Sequence, residues 1–329
     1  MNLNRLKKVL IIRLSSLGDI LLSTPFIRTL KGKYPQLEID FLLKERYKDT
    51  LVQNPYLTNI YEYPDNNELT KLVGKLKERN LDLVLDLQNN FRSEKINSLL
   101  NVPKLRFKKR DPEKILLVHL KINRLKNAPP IPVRYSKILD DLQLDNSGLD
   151  LFTNKKSSSL FKENQKYIGF CPGSRHFTKM WPAEYYIRLG NILKNKNYNI
   201  ALFGGKDDKD VCKEISSQIE DSINLSNNDD ILQTAADMKK CEAVVCNDSG
   251  LMHTACAENI PVLAFFGSTV KEFGFTPYMN KNIILENNSL SCRPCTHIGK
   301  SYCPKGHFKC MLELKPDIAF TKLNLLLNS

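Results

Sequence analysis

Short apolar runs alternate with amphipathic stretches along this chain, and that order leaves few folds open. Residues 9–13, 38–43, 59–63 and 83–87 read as strands, the last of them buried. Helical spacing marks 46–53, 68–79 and 92–100, and also the stretch from the loop at Asp19 to Tyr34. The second half restarts the pattern, with strands at 167–170, 199–203, 243–246 and 261–266 and helices at 183–194, 207–219, 229–239, 251–258 and 316–327. Strands this apolar, each followed by a helix, form parallel sheets covered on both faces. The polar, low-complexity stretch 153–166 reads as a linker. The expected organisation is α/β: a first domain over 1–155, a linker over 156–166, a second domain over 167–315 and a closing helix over 316–329. The length of 329 residues and a hydrophobic content of 42% suit two such cores.

In open parallel sheets, ligands bind beyond the carboxyl ends of the strands. The loops at Asp19, Ser174, Gly204 and Asp248 all fall at such ends. The most informative is Asn247-Asp248-Ser249-Gly250-Leu251-Met252-His253, which links a buried strand to a helix start. The first N–H groups of a helix lack partners inside it and favour an anion. Gly250 lets a ligand approach the backbone closely. Asp248 and His253 are in sequence reach of a sugar or phosphate there; the plainer reading has Asp248 or Ser249 capping the helix and His253 packed within it. No Gly-x-Gly-x-x-Gly and no Walker A sequence occurs, which argues against dinucleotide and P-loop enzymes.

The net charge is +13 and uneven: residues 1–152 carry 27 Lys+Arg against 18 Asp+Glu, and 153–329 carry 22 against 18. Between Lys104 and Lys126 nine basic residues face two acidic ones, which suggests an anionic partner or else a solvated surface. Residues 115–126 read as a helix of the first domain, or as an amphipathic segment for a membrane or acceptor. No apolar run is long enough to span a bilayer, and the basic start leads into a strand rather than a signal peptide, so a cytoplasmic protein is expected. Of nine cysteines, Cys292, Cys295, Cys303 and Cys310 cluster, with His297 and His307 nearby. Outside an oxidising compartment such a cluster favours structural zinc or iron over disulfides.

Four blocks together resemble glycosyltransferase family 9, the bacterial heptosyltransferases of lipopolysaccharide core assembly. They are Arg13-Leu14-Ser15-Ser16-Leu17-Gly18-Asp19-Ile20 with Thr24-Pro25; Asp82 to Gln88 with Asn90 and Arg92-Ser93; Pro172-Gly173-Ser174 with Lys179-Met180-Trp181-Pro182; and Asn247 to His253, continuing from Pro261 to Gly267. The resemblance implies a GT-B fold, in which two Rossmann-like domains with parallel sheets face each other across a cleft, the acceptor on the first and the nucleotide sugar on the second. It implies ADP-heptose as donor, a lipopolysaccharide-core-type acceptor, inversion at the anomeric carbon and no cofactor for the transfer.

The resemblance also assigns roles. Asp19 matches the general base, which takes the proton of the acceptor hydroxyl as it attacks; the alternative is a carboxylate favouring a helix N-terminus. Lys179 matches a cation that stabilises the leaving diphosphate, against a surface lysine beside a core Trp181. Ser174, Asp248, Ser249, Gly250, His253, Gly204 and Gly205 fall to the donor, and Arg92 to an anionic acceptor or a helix-start ion pair. The expected partners are a nucleotide-sugar donor and an anionic lipid-linked sugar acceptor, with peripheral contact at the cytosolic face of the inner membrane and no nucleic acid. A nucleotide-sugar 2-epimerase shares the expected fold, but no acid/base pair for it stands out. A nucleic-acid-binding protein built on the cysteines and the charge leaves Asp19, Lys179 and the Asp-Ser-Gly loop unexplained.

Overall fold

The computed structural model describes residues 3–64, 68–140 and 142–329. The chain forms two compact units, Met1–Arg110 with Ile131–Phe152, and Asp111–Pro130 with Thr153–Ser329.

The first unit holds strands β1 (Lys8–Ile12), β2 (Glu38–Lys44), β3 (Asn59–Tyr63), β4 (Leu83–Asp86) and β5 (Lys104–Arg106). All pairings are parallel, in the order β3-β2-β1-β4-β5. The connecting helices are α1 (Leu17–Leu21), α2 (Thr24–Lys33), α3 (Leu69–Glu78) and α4 (Phe91–Leu100). The helix expected to run from Asp19 to Tyr34 is thus two helices; Ser23 stands between them and Pro25 opens the second, where a missing N–H is harmless. Leu10, Ile12, Leu42, Leu76, Val84 and Ile96 form a fully buried core, which explains why β1 is apolar after Lys8 and β4 is apolar up to Asp86.

The second unit begins with α5 (Asp111–Ile115) and a π-helical turn, Leu116–Leu120. The sequence pattern placed this stretch in the first domain. It belongs to the second unit because Leu117 and Leu125 are buried against Val270 and Phe273. Helix α6 (Ile131–Ser136) then returns to the first unit. The expected linker is also tied down: Ser158 N–H donates to Asp237 Oδ1 (2.6 Å), and Gln233 Nε2 to the Lys156 carbonyl (3.0 Å).

The second sheet contains β6 (Lys166–Cys171), β7 (Tyr198–Leu202), β8 (Ile223–Asn224), β9 (Cys241–Asn247), β10 (Val262–Phe266) and β11 (Asn282–Glu286). It too is parallel, in the order β11-β10-β9-β6-β7-β8. Its helices are α7 (Ala183–Lys194), α8 (Lys209–Ser216), α9 (Ile231–Met238), α10 (Gly250–Ala257), α11 (Lys309–Leu312) and α12 (Pro316–Asn328). Trp181 anchors one face: its ring stacks on Phe265 at 4.2 Å, and its indole N–H donates to the Leu314 carbonyl (2.7 Å).

Strand order reverses between β1 and β4 in the first sheet, and between β6 and β9 in the second. Such switch points open a crevice at the strands' carboxyl ends. The motif-bearing loops leave those four strands.

Candidate active site

In the first unit, Asp19 occupies the first turn of α1. Its Oδ2 accepts from the Ser16 backbone N–H (3.1 Å) and from Ser16 Oγ (2.7 Å). Its Oδ1 is ion-paired with Arg13. Arg13 stands at the end of β1, donates to the Leu87 carbonyl (2.9 Å) and lies 5.7 Å from the centre of the Tyr135 ring. Burial works against the Arg13 cation, but Asp19, Tyr135 and Asp86 together outweigh it and hold its pKa above the usual value. Burial pushes the Tyr135 hydroxyl well above its ordinary pKa, and Asp19 adds to that push. Asp19 therefore caps its helix and also sits beside a cation and a phenol.

Asp86 organises the loop after β4. Its carboxylate accepts from the N–H groups of Gln88 (3.0 Å) and Asn89 (2.8 Å), from Ser93 Oγ (2.9 Å) and from Asn97 Nδ2 (3.0 Å). Gln88 Oε1 in turn accepts from the Leu14 N–H (2.9 Å), which ties the loops after β1 and β4 together. Asn90 caps α4, accepting from the Ser93 N–H at 3.1 Å. Arg92 stands exposed in the first turn of α4 beside Phe91, whose ring is 85% exposed. Asp19 and Arg92 both stand at the carboxyl end of the first sheet, Asp19 after β1 and Arg92 after β4.

In the second unit, Lys179 closes the 3-10 turn Phe177–Lys179 after β6, and its Nζ lies 2.7 Å from Asp248 Oδ2. The same oxygen accepts from Thr269 Oγ1 (2.6 Å). Asn247 fastens the loops further: its side chain donates to the Pro172 carbonyl (2.7 Å) and accepts from the Trp181 N–H (2.9 Å). The loops after β6, β9 and β10 thus meet at Asp248. Ser249 is the N-cap of α10, and its Oγ is buried without a hydrogen-bond partner. Ser249, Gly250 and Ser174 are half-buried, whereas His253 is 3% exposed within α10.

The loop after β7 carries Gly204 and Gly205. Asp208 Oδ2 accepts from the Gly205 N–H (3.1 Å), and a Cβ at Gly204 would stand 2.7 Å from that of Asp208. A Cβ at Gly173 would collide with the Asp208 carboxylate, so the loops carrying Ser174 and Gly204 interlock only as glycines. Burial raises the Asp208 pKa, and the charges of Asp207 and Asp229 add to the effect.

The cysteine-rich segment braces these loops. Arg293 is buried and donates to the carbonyls of Gly267 (2.6 Å), Phe266 (3.0 Å) and Thr269 (2.9 Å). Thr178, next to Lys179, donates its N–H to the Lys300 carbonyl (3.1 Å) and accepts the Lys300 N–H (2.8 Å). Cys292 Sγ lies 3.8 Å from His307 Nε2. Burial, with the neighbouring thiols, raises the pKa of Cys295 and pushes that of Cys310 up to about 11. Among the described residues, no three or more His, Cys, Asp or Glu side chains are grouped to hold a metal ion.

Sequence reasoning brought Lys179, Asp248, Ser249 and Gly250 into one site. It missed Arg13, Tyr135, Thr269 and Asp208 as partners. Arg13 lies in the first motif block, and Thr269 lies in the loop at the carboxyl end of β10, so position alone pointed at both. Asp208 closes the loop that begins at Gly204, so position pointed at it too; Tyr135 carries no such signal.

The profile of glycosyltransferase family 9 (heptosyltransferase) matches residues 69–305. A lipooligosaccharide heptosyltransferase 2 of Haemophilus ducreyi is 29% identical, over 97% of this chain and 99% of the relative. Among solved structures, the glycosyl transferase family 9 protein of Veillonella parvula superposes with a TM-score of 0.78 at 20% identity, over 99% of this chain and 98% of that one. The ADP-heptose lps heptosyltransferase II of Escherichia coli does so with a TM-score of 0.73 at 23% identity, over 97% and 98%. Both neighbours share the two parallel-sheet units, so the fold is GT-B. With the profile covering most of its length, the chain belongs to glycosyltransferase family 9, the heptosyltransferases, and is a glycosyltransferase.

Proposed function

We propose that the enzyme transfers a heptose, or a closely related sugar, from ADP-heptose to an anionic lipid-linked sugar of the lipopolysaccharide-core type, with inversion. The observation that carries this reading is the cluster at the start of α10. A lysine and a partnerless serine hydroxyl stand there with the free N–H groups of a helix N-terminus, at a strand switch point. Such a cluster suits a diphosphate. Lys179 has three donor hydrogens and can keep Asp248 while it meets a phosphate oxygen. Asp248, held by Lys179 and Thr269, is a fixed acceptor for sugar hydroxyls. The loop at Ser174 and the interlocked glycines Gly204 and Gly205 offer close backbone approach to the rest of the nucleotide.

Asp19 takes the proton of the acceptor hydroxyl as that oxygen bonds to the anomeric carbon. The bond from that carbon to the diphosphate breaks, and the departing charge falls to Lys179, Ser249 and the N–H groups of α10. One base opposite the leaving group gives inversion. Arg92 and the exposed Phe91 offer a cation and a ring to the acceptor. No residue in this scheme needs a cofactor.

We assign Cys292, Cys295, Cys303 and Cys310 a structural role, with zinc or iron as the matching ion. The sulfur donor set supports the assignment; the side chains must draw together from their present arrangement to close around an ion.

The test is incubation with ADP-, GDP- and UDP-sugars and a core acceptor, followed by mass spectrometry. Transfer from ADP-heptose is expected, and Asp19→Asn is expected to slow it by about 10²–10⁴-fold while donor binding persists. Undiminished transfer by that variant, or an epimerised free nucleotide sugar as the product, overturns the reading.

A further inference from the structure

The segment between Asp111 and Pro130 combines buried anchors with exposed aliphatic side chains. Leu117 and Leu125 are buried against Val270 and Phe273. Lys121 adopts a left-handed backbone (φ 60°) after the π-helical turn, and its Nζ donates to the carbonyls of Pro294 (2.7 Å), Val118 (2.9 Å) and Cys292 (3.2 Å). The tie fixes the residues on either side of it. Those residues, Leu120 and Ile122, are 63% and 47% exposed, and Ile115 is 55% exposed. Single exposed aliphatic side chains are common on a protein surface, but Ile115, Leu120 and Ile122 stand close together in the chain, and grouped apolar exposure points to an interaction surface.

Charge decides the partner. From Leu116 to Ala128 the chain has no Asp or Glu, while Lys121, Arg124 and Lys126 contribute three positive charges, and Arg124 and Lys126 are exposed. A nucleic acid would use the cations but has no place for the aliphatic side chains, and no Phe, Tyr or Trp stands among them to stack a base. An anionic bilayer uses both: acyl chains accept Leu and Ile at the headgroup boundary, and lipid phosphates pair with Lys and Arg. No helix of the described residues is long and apolar enough to cross a membrane, so this contact is at the surface.

We propose that residues 115–126 dock the enzyme on an anionic lipid surface, with Ile115, Leu120 and Ile122 entering the headgroup boundary and Arg124 and Lys126 meeting lipid phosphates. This deepens the lipid-linked acceptor reading and rests on it for its biological sense. The binding test uses neither donor nor acceptor, so each can fail alone. The full chain is sedimented with vesicles of phosphatidylcholine, with and without phosphatidylglycerol. Wild type is expected to follow the phosphatidylglycerol vesicles and to be released by salt. Both Leu120→Ser/Ile122→Ser and Lys126→Glu are expected to weaken binding about tenfold. Their unfolding midpoints, and their transfer rates to a short water-soluble acceptor, are expected to match wild type. The proposal is overturned if wild type ignores anionic vesicles, or if the Leu120/Ile122 variant sediments like wild type. It is also overturned if heparin is bound in place of vesicles, or if transfer to the soluble acceptor falls with vesicle binding.

Discussion

At the scale of single residues, Lys179 and Asp248 act as a pair, and their substitutions should not behave alike. The ammonium and carboxylate lie 2.7 Å apart with side-chain exposures of 15% and 8%. Lys179→Ala removes the cation that we assign to the leaving diphosphate and strands a buried carboxylate. It should lower kcat by about 10²–10³-fold and also destabilise the fold. Adding Asp248→Asn removes the stranded charge, so the double variant should regain stability in a urea titration without regaining kcat. Recovery of both would show that the lysine serves only to neutralise Asp248. Asp19 is held differently: it accepts at both oxygens, from Arg13 on one and Ser16 on the other. Capping and the base role we propose for Asp19 are compatible, because the same contacts that cap α1 hold the carboxylate in one orientation.

At the scale of elements, the interlock of the loops after β6 and β7 makes a stability prediction. Burial raises the Asp208 pKa, so the folded state holds that proton more tightly than the unfolded chain does. The contribution is present below the unfolded carboxylate pKa and is lost as pH rises through the higher folded value. Asp208→Asn should flatten the fall in stability across that window, measured as urea midpoints over a pH series; an unchanged slope would assign the effect elsewhere. The same loops show what the sequence could reveal. Strands β1, β2, β4, β6, β7, β9 and β10 are legible because most of their residues are buried, and the buried ones are mainly apolar. Strand β5, Lys104-Leu105-Arg106, hides in the basic patch, and β8 spans only Ile223–Asn224. The loop motifs were visible, since glycine, aspartate and serine at strand ends have few other uses. Their cross-links were not: the contact of Gly173 with Asp208, or of Arg13 with Tyr135, depends on side-chain placement that no spacing encodes.

At the scale of the whole molecule, chain order and spatial order part company. The stretch 111–130 leaves the first unit, packs in the second and returns. A pattern read along the chain has no means of seeing this, because Leu117 and Leu125 look the same whichever core receives them. The cysteine-rich segment makes a second whole-molecule point, since Arg293 and Lys300 brace loops that carry Thr269 and Lys179. If the four cysteines hold zinc or iron, elemental analysis of the purified chain will find it, and a chelator should lower Tm by several degrees. A metal-free chain with an unmoved Tm would leave the cysteines as packed thiols. The bond from Leu14 to Gln88 carries a lesson for anyone building chimeras. Grafting the stretch after β4 from a homologue, in the hope of redirecting which molecule is glycosylated, would also unseat the carboxylate loop after β1. A successful graft has to exchange both stretches together or preserve the glutamine that joins them.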